Sequence, residues 1–229
     1  MRLRYAIAVG LLCLSVGPVL AADDYKIAAI DQASPDEVSP DLAKLLSPKA
    51  LKVTNGKRVL CEIWLRRAVP IRADFAPSQT ELYPFDVGQV VGVIRFPRKT
   101  SDFRNQEIGA GVYTLRYGLQ PVDGNHVGTS ETRDFLLLSP AAEDKDPAKL
   151  EVDNLYKLSR DASETTHPAI LPMQGAVSDF DDATAPAMVH DDSHELWSVV
   201  IKSTVSTGEQ DDQKEDRLLQ FVVAGHAAE

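Results

Sequence analysis

The most metal-like spacing in the chain occurs in the segment HDDSHE, which starts at His190. His190 and His194 are four residues apart and would share one face of a helix, with the carboxylate of Asp192 beside them. Imidazole nitrogen and carboxylate oxygen together suit zinc or copper. However, a zinc-protease motif has glutamate directly after its first histidine, and this chain has Asp191 there. Because strand-forming residues begin at Glu195, we expect a charged turn ahead of a strand.

Further candidates lie in the stretch GVYTLRYGLQPVDGNHVG, whose first half alternates like a strand. The alternation places Arg116 on the face opposite Leu115. An arginine there could bind a carboxylate or phosphate, but we expect it to cover the sheet with its apolar stem. His126 follows in the loop and could ligate a metal, as a third ligand beside His190 and His194, or carry a proton. We expect ordinary turn chemistry around it.

The remaining reactive side chains are weaker candidates for a functional site. Cys61 lies on the buried face of a predicted strand, where we expect a small apolar group and not a nucleophile. His167 precedes a proline and His226 lies near the C-terminus, so neither ranks above the others.

No short motif of a known catalytic chemistry is present. The sequence has no Gly-x-Ser-x-Gly elbow, phosphate loop, dinucleotide fingerprint or Cys-x-x-Cys-His haem attachment. Carboxylates are abundant, and a glycosidase pair depends on a separation in space that sequence does not provide. We therefore assign no catalytic residue and expect no cofactor, and we leave the carboxylate pair open.

The N-terminus has the pattern of a secretory signal peptide over residues 1–22. Arg2 and Arg4 precede a short apolar run, and the small residues Ala21 and Ala22 fit a cleavage site. We expect export to the periplasm or cell exterior, with no membrane insertion of the mature chain. The whole chain has a net charge of −10, which disfavours nucleic acid as a partner because phosphate binding needs a basic surface.

Turn and periodicity signals divide the exported part into an N-terminal segment and one larger domain. Residues 23–49 hold a short helix that starts at Ser39 and Pro40. Asn55-Gly56 predicts a tight hairpin turn, and alternating runs predict further strands. A helix is expected over 147–162. A long exposed acidic connection is expected over 206–216.

This pattern favours an all-β fold, an antiparallel β-sandwich with one or two peripheral helices. The domain would span 50–229, with the helix over 147–162 as an insertion. A parallel βαβ arrangement is the distant alternative, because the chain has too few helical segments for it.

The segments GVYTLRYGLQP, DGNHVG and RDFLLL, within 104–138, resemble a family of exported bacterial β-sandwich proteins of unassigned function. The similarity runs from about VLCEIWLRR to LLQFVVAG, which is much of the mature chain. The resemblance implies a β-rich secreted domain. It implies no reaction and no site residues.

The sequence thus favours an exported, non-catalytic β-sandwich that binds a protein or polysaccharide in the periplasm or at the cell surface. One alternative is a secreted metal-binding protein that uses His190 and His194. Another is a hydrolase of envelope polymers with an unidentified carboxylate pair.

Overall fold

The computed structural model describes residues 24–124, 126, 130–175, 180–207 and 213–227. Within these ranges the helices are α1 (Pro40–Leu45) and α2 (Val152–Ser163), with one 3₁₀ turn at Asp182–Thr184. The strands are β1 (Tyr25–Ile30), β2 (Ala50–Asn55), β3 (Arg58–Leu65), β4 (Val69–Pro70), β5 (Val90–Phe96), β6 (Thr100–Ser101), β7 (Glu107–Ile108), β8 (Gly111–Leu119), β9 (Asp134–Pro140), β10 (Ile170–Gln174), β11 (Ala187–Asp191), β12 (Leu196–Thr207) and β13 (Gln213–Ala224). The predicted all-β class with few helices is confirmed.

Most strands form one large curled sheet in the order β1-β2-β3-β5-β8-β9-β10-β13-β12-β11. Neighbours along this order are antiparallel, while the short β4 pairs with β12 in parallel and makes the sheet mixed. β10 pairs with β9 through residues 170–172 and with β13 through residues 173–174, so it links the two halves. β6 and β7 form a separate two-stranded sheet.

The main core lies between the two halves of the curled sheet, as it does between the layers of a sandwich. Its buried side chains alternate along their strands, which is the period of two expected for strands. They include Cys61, Ile63, Leu115, Tyr117, Val199, Ile201 and Phe221. The predicted inward positions of Cys61 and Leu115 are confirmed, and both side chains are fully buried.

Helix α1 covers the outer face of β3 and β5. Its Leu42 and the following Leu46 are buried against Trp64, whose Nε1 donates a hydrogen bond to the Gln32 carbonyl at 2.9 Å. The predicted N-cap is confirmed, because the Ser39 hydroxyl accepts a hydrogen bond from the Leu42 amide at 3.3 Å.

Helix α2 covers the outer face of β9. Leu155 and Leu158 pack on Phe135 and Leu137, which lie two residues apart and therefore on the same face of the strand. As a result, β9 is buried on both faces. Most of β8 is also buried, because the 144–148 segment covers the face that carries Arg116.

The prediction that this helix begins at 147 is wrong, since α2 begins at Val152. The preceding residues are held outside the helix: Asp146 Oδ1 accepts from the Ala148 amide at 2.9 Å, and the Leu150 amide donates to the Gly88 carbonyl at 3.2 Å. Gly88 has φ +86°, and a Cβ there would lie 2.0 Å from the Leu150 carbonyl oxygen. Only glycine permits this close approach.

The long acidic connection predicted over 206–216 is also shorter than expected. The antiparallel ladder between β12 and β13 continues to the pair Thr207 and Gln213. Thr204 supports it across the strands by donating a hydrogen bond to Asp216 at 3.0 Å. Residues 208–212 lie outside the described part of the chain.

The N-terminal segment contributes a strand that the sequence did not predict. β1 pairs with β2 from Tyr25 opposite Asn55 to Ile30 opposite Ala50, and so extends the sheet by one strand. None of the helices in the described residues has the length and apolar character needed to cross a membrane.

Candidate functional site

A groove of about 560 Å³ opens where β9, β10, the turn after β11, the turn after Asp102 and the C-terminal residues meet. It joins a smaller cavity of about 210 Å³ beside helix α2. The two spaces share four of their lining residues, Arg104, Gln120, Phe135 and Ile170. We call the larger space the groove and the smaller one the side cavity.

A buried carboxylate positions the turn that forms one wall of the groove. Asp102 is 1% exposed and accepts hydrogen bonds from the amides of Arg104, Gln106 and Ile170 at 2.9–3.0 Å. These bonds hold the turn against β10 and place Arg104 and Asn105 at the groove. Burial raises the pKa of Asp102, although the donated hydrogen bonds oppose that shift.

Four histidines line this combined space. His194 and His226 line the groove, whereas His126 and His167 line the side cavity. The described residues nevertheless contain no group of three or more histidine, cysteine, aspartate or glutamate side chains placed to hold a metal ion. The proposed ligand set of His190, His194 and His126 is therefore not brought together.

The helical spacing considered for His190 and His194 is not realised. His190 lies in β11 and His194 in the following turn, as expected for a charged turn before a strand. The His190 ring stacks on Trp197 of β12 at 4.1 Å between centroids, and its Nδ1 lies 2.6 Å from Asp192. His190 is thus part of a strand-pair contact between β11 and β12.

His194 is bound within its own turn. Its Nδ1 lies 2.7 Å from Asp191 Oδ2 and 2.9 Å from the Ser193 hydroxyl. The bond to Asp191 raises the pKa of His194, and Glu131 adds to the shift. The Ser193 and His194 hydrogen bonds in turn hold the pKa of Asp191 well below its usual range.

Arg116 does not cover the sheet surface, and that expectation is wrong. The side chain is fully buried, with Nε 2.6 Å and Nη2 2.7 Å from the two carboxylate oxygens of Asp144. Its remaining N–H groups donate to the carbonyls of Gly88 at 2.6 Å, Ala148 at 2.8 Å and Asp146 at 2.5 Å. Arg116 therefore fastens the 144–148 segment to β8 and leaves no donor for a ligand.

The most buried carboxylates are already engaged by other groups. Asp134 accepts from the Leu82 and Tyr83 amides and from the Tyr117 hydroxyl, and Asp144 pairs with Arg116. The Glu62 carboxylate lies 2.8 Å from the Arg95 guanidinium group. The Asp102 carboxylate accepts hydrogen bonds from amides of its own turn. Each carboxylate has a structural role.

Two carboxylates line the groove, Glu131 and Asp191. A general acid needs a raised pKa, but Asp191 has a lowered one and stays ionised. Cys61 is fully buried, and this burial raises the pKa of its thiol, which favours the protonated form. His126 is half-buried, with Nδ1 2.6 Å from Asp123 of the same loop; Asn125 and 127–129 lie outside the described residues.

The sequence did not single out Arg104, Arg160 or Glu131. Arg104 and Glu131 lie in turns, where no periodicity marks a side chain. Arg160 lies within the predicted helix and off the face of Leu155 and Leu158, so its outward position could have been derived from the helical period. Nothing in the sequence indicates that this helix lies beside the turn of Arg104.

Comparisons with known proteins provide no further guide: no family model, curated protein or solved structure matches the chain.

Proposed function

We propose that this chain is an exported, non-catalytic binding protein whose groove receives a ligand. The observation that carries the proposal is the groove itself, about 560 Å³ and lined from six separate parts of the chain. Its size is within the usual range for ligand sites, and its lining combines apolar and polar side chains. Among the apolar ones are Phe103, Phe135 and Met173.

The chemistry of the lining residues supports binding over catalysis. The groove carboxylate Asp191 is held ionised by its neighbours, and the buried carboxylates of the described chain are occupied by structural hydrogen bonds. Nucleophilic catalysis needs a nucleophile with an adjacent base. The Ser193 hydroxyl lies 2.9 Å from His194 Nδ1, but that nitrogen is already bound to Asp191 at 2.7 Å, and the Cys61 thiol lies in the main core.

A variant that fills the groove tests the proposal. Ser130 is a half-buried lining residue, and Ser130→Trp would place an indole in the space. Lys44→Trp on the exposed surface of α1 is the matched control, since α1 covers a different part of the sheet. Thermal unfolding would be measured with a panel of oligosaccharides, peptides and small organic acids.

We expect at least one compound to raise the melting temperature of the wild type and of Lys44→Trp, but not of Ser130→Trp. The compound should be recovered unchanged after incubation. Conversion of the compound to a product, or equal binding by Ser130→Trp, would contradict the proposal.

Export is tested separately. Mass spectrometry of the native protein from the exported fraction should give an N-terminus at Ala22 or Asp23. A mature chain that still carries Met1 would remove the export part of the proposal and leave the groove untouched.

A further inference from the structure

The side cavity has an apolar floor built from two neighbouring strands. Phe135 and Leu137 project from the outer face of β9, and Ile170 is the β10 partner of Leu137 in the sheet register. Leu119 at the end of β8 also lines this cavity. Such a surface favours an apolar group over water.

The rim of the side cavity is basic. Arg104 comes from the turn after Asp102, Arg160 from the last turn of α2, and His167 from the segment before β10. No acidic side chain of the described chain lines this cavity. His126 also lines it, but Asp123 at 2.6 Å already balances its charge when protonated.

Several other arginines of the protein have a carboxylate partner that these two arginines lack. Arg72, Arg95, Arg116 and Arg217 each form an ion pair with a carboxylate. Within the described residues, the Arg104 and Arg160 guanidinium groups have neither an ion pair nor a hydrogen-bonded side chain. Two unpaired guanidinium groups above an apolar floor form a positive site in a chain of net charge −10.

We propose that the side cavity binds the carboxylate of a small amphiphilic acid, with the apolar body on Phe135 and Ile170 and the carboxylate at Arg104 and Arg160. This inference rests on the proposed function, because the side cavity shares four lining residues with the groove.

The chemistry of the lining selects this class of ligand. A guanidinium group donates two parallel hydrogen bonds to a carboxylate, which suits arginine better than lysine for this role. Inorganic phosphate would bind the arginines but leave the apolar floor exposed to water. A neutral hydrocarbon would contact the apolar floor but would not pair with the guanidinium charges. A volume of about 210 Å³ suits a body of roughly eight carbons.

Octanoate and 3-phenylpropionate are suitable probes, because they share the carboxylate and differ in an aliphatic or aromatic body. Isothermal titration of the mature protein should give a dissociation constant of about 100 µM for at least one of them. Octanol, which lacks the charge, should bind about tenfold more weakly or not at all. The acid that binds more tightly shows whether the side cavity prefers an aliphatic or an aromatic body.

Arg104→Gln and Arg160→Gln should each weaken binding of the better acid about tenfold. Arg98→Gln is the matched control, since Arg98 is exposed, does not line the side cavity and loses the same charge. Circular dichroism of each variant would verify that it is folded. A loss of binding by Arg98→Gln equal to that of the other two would overturn the specific assignment.

Three other results would also overturn the inference. One is equal binding of octanol and octanoate. A second is displacement of the acids only by an acidic peptide that binds far more tightly, which would make the site a protein-docking site. The third is no binding of either acid while another compound still binds in a manner blocked by Ser130→Trp, a result that leaves the proposed function standing.

Discussion

Arg116 and Asp144 form an ion pair from which water is excluded, since their side chains are 0% and 1% exposed. Removing two charges from water is costly, and the cost is offset here by two hydrogen bonds between them and by three carbonyl acceptors. Breaking such a pair on one side leaves a buried charge without compensation.

Arg116→Met should therefore lower the free energy of unfolding by about 3–5 kcal/mol. The double variant Arg116→Met/Asp144→Leu should recover part of that loss, because both charges are then absent. Arg98→Met at an exposed position should change stability by no more than about 0.5 kcal/mol. Chemical denaturation measures all three, and an Arg116→Met protein as stable as the wild type would contradict the structural role.

The turn after β11 carries a pair whose charge depends on pH. The pKa of His194 is raised by Asp191, so its contribution to stability is full below its ordinary value of 6.5 and is lost as pH rises through the folded-state pKa. Asp191 has a lowered pKa, so its contribution is full above its ordinary value of 3.8 and is lost as pH falls through the folded-state pKa. The pair is most favourable between these two values.

In an NMR titration, we expect the His194 ring to titrate above 6.5 in the wild type. Asp191→Asn should lower that pKa, because the hydrogen bond to a carboxylate is the main cause of the shift. Glu131→Gln should lower it less, since Glu131 acts only through its charge at a distance. Titration of His194 unchanged by Asp191→Asn would show that the contact is not formed in solution.

At the scale of elements, α1 is too short to be stable alone, and it depends on its cap and on contacts with the sheet. The Ser39 hydroxyl accepts from the Leu42 amide at 3.3 Å and donates to the Lys145 carbonyl at 2.9 Å. One side chain thus caps the helix and ties it to the segment that also holds Asp144.

Ser39→Ala should lower the free energy of unfolding by about 1 kcal/mol, since both hydrogen bonds are lost. Ser39→Asp retains the acceptor for the Leu42 amide and should cost less. Denaturation curves of the two variants separate the cap from the bond to Lys145. An equal loss of stability in both variants would assign the effect to the hydrogen bond with the Lys145 carbonyl alone.

At the scale of the whole molecule, the curled sheet brings its two ends together. Tyr25 of the edge strand β1 packs on Trp197 of β12 with ring centroids 4.8 Å apart, and His190 of the other edge strand stacks on the same indole. This three-ring contact joins strands at opposite ends of the sheet order.

A double-mutant cycle of Tyr25→Ala and Trp197→Ala should give a coupling energy of about 0.5–1.5 kcal/mol. Hydrogen exchange should become faster in β1 for each single variant and stay slow in β5 and β8 at the centre of the sheet. Trp197→Phe is the control that retains a ring. Additive effects of the two alanine variants would mean that the ends of the sheet are not coupled.

Much of this protein followed from local sequence patterns. Period-two alternation identified the main strands and the inward side of Cys61 and Leu115, and Ser39-Pro40 identified the start of α1. The hairpin predicted from Asn55-Gly56 is confirmed, but its turn lies one residue later, at Gly56 and Lys57, because Asn55 is the last residue of β2 and pairs with Arg58. These features depend on neighbours a few residues away, so the sequence carries them directly.

Only the tertiary structure decided the roles of the polar side chains. Periodicity places Arg116 on the outer face of β8, but only the folded chain brings Asp144 and the 146–148 carbonyls over that face. In the same way, Arg104 and Arg160 meet at one cavity because α2 and the turn after Asp102 pack beside the same strands. A local pattern tells which way a side chain points. What covers it depends on contacts between residues far apart in the chain, and these carry no local signal.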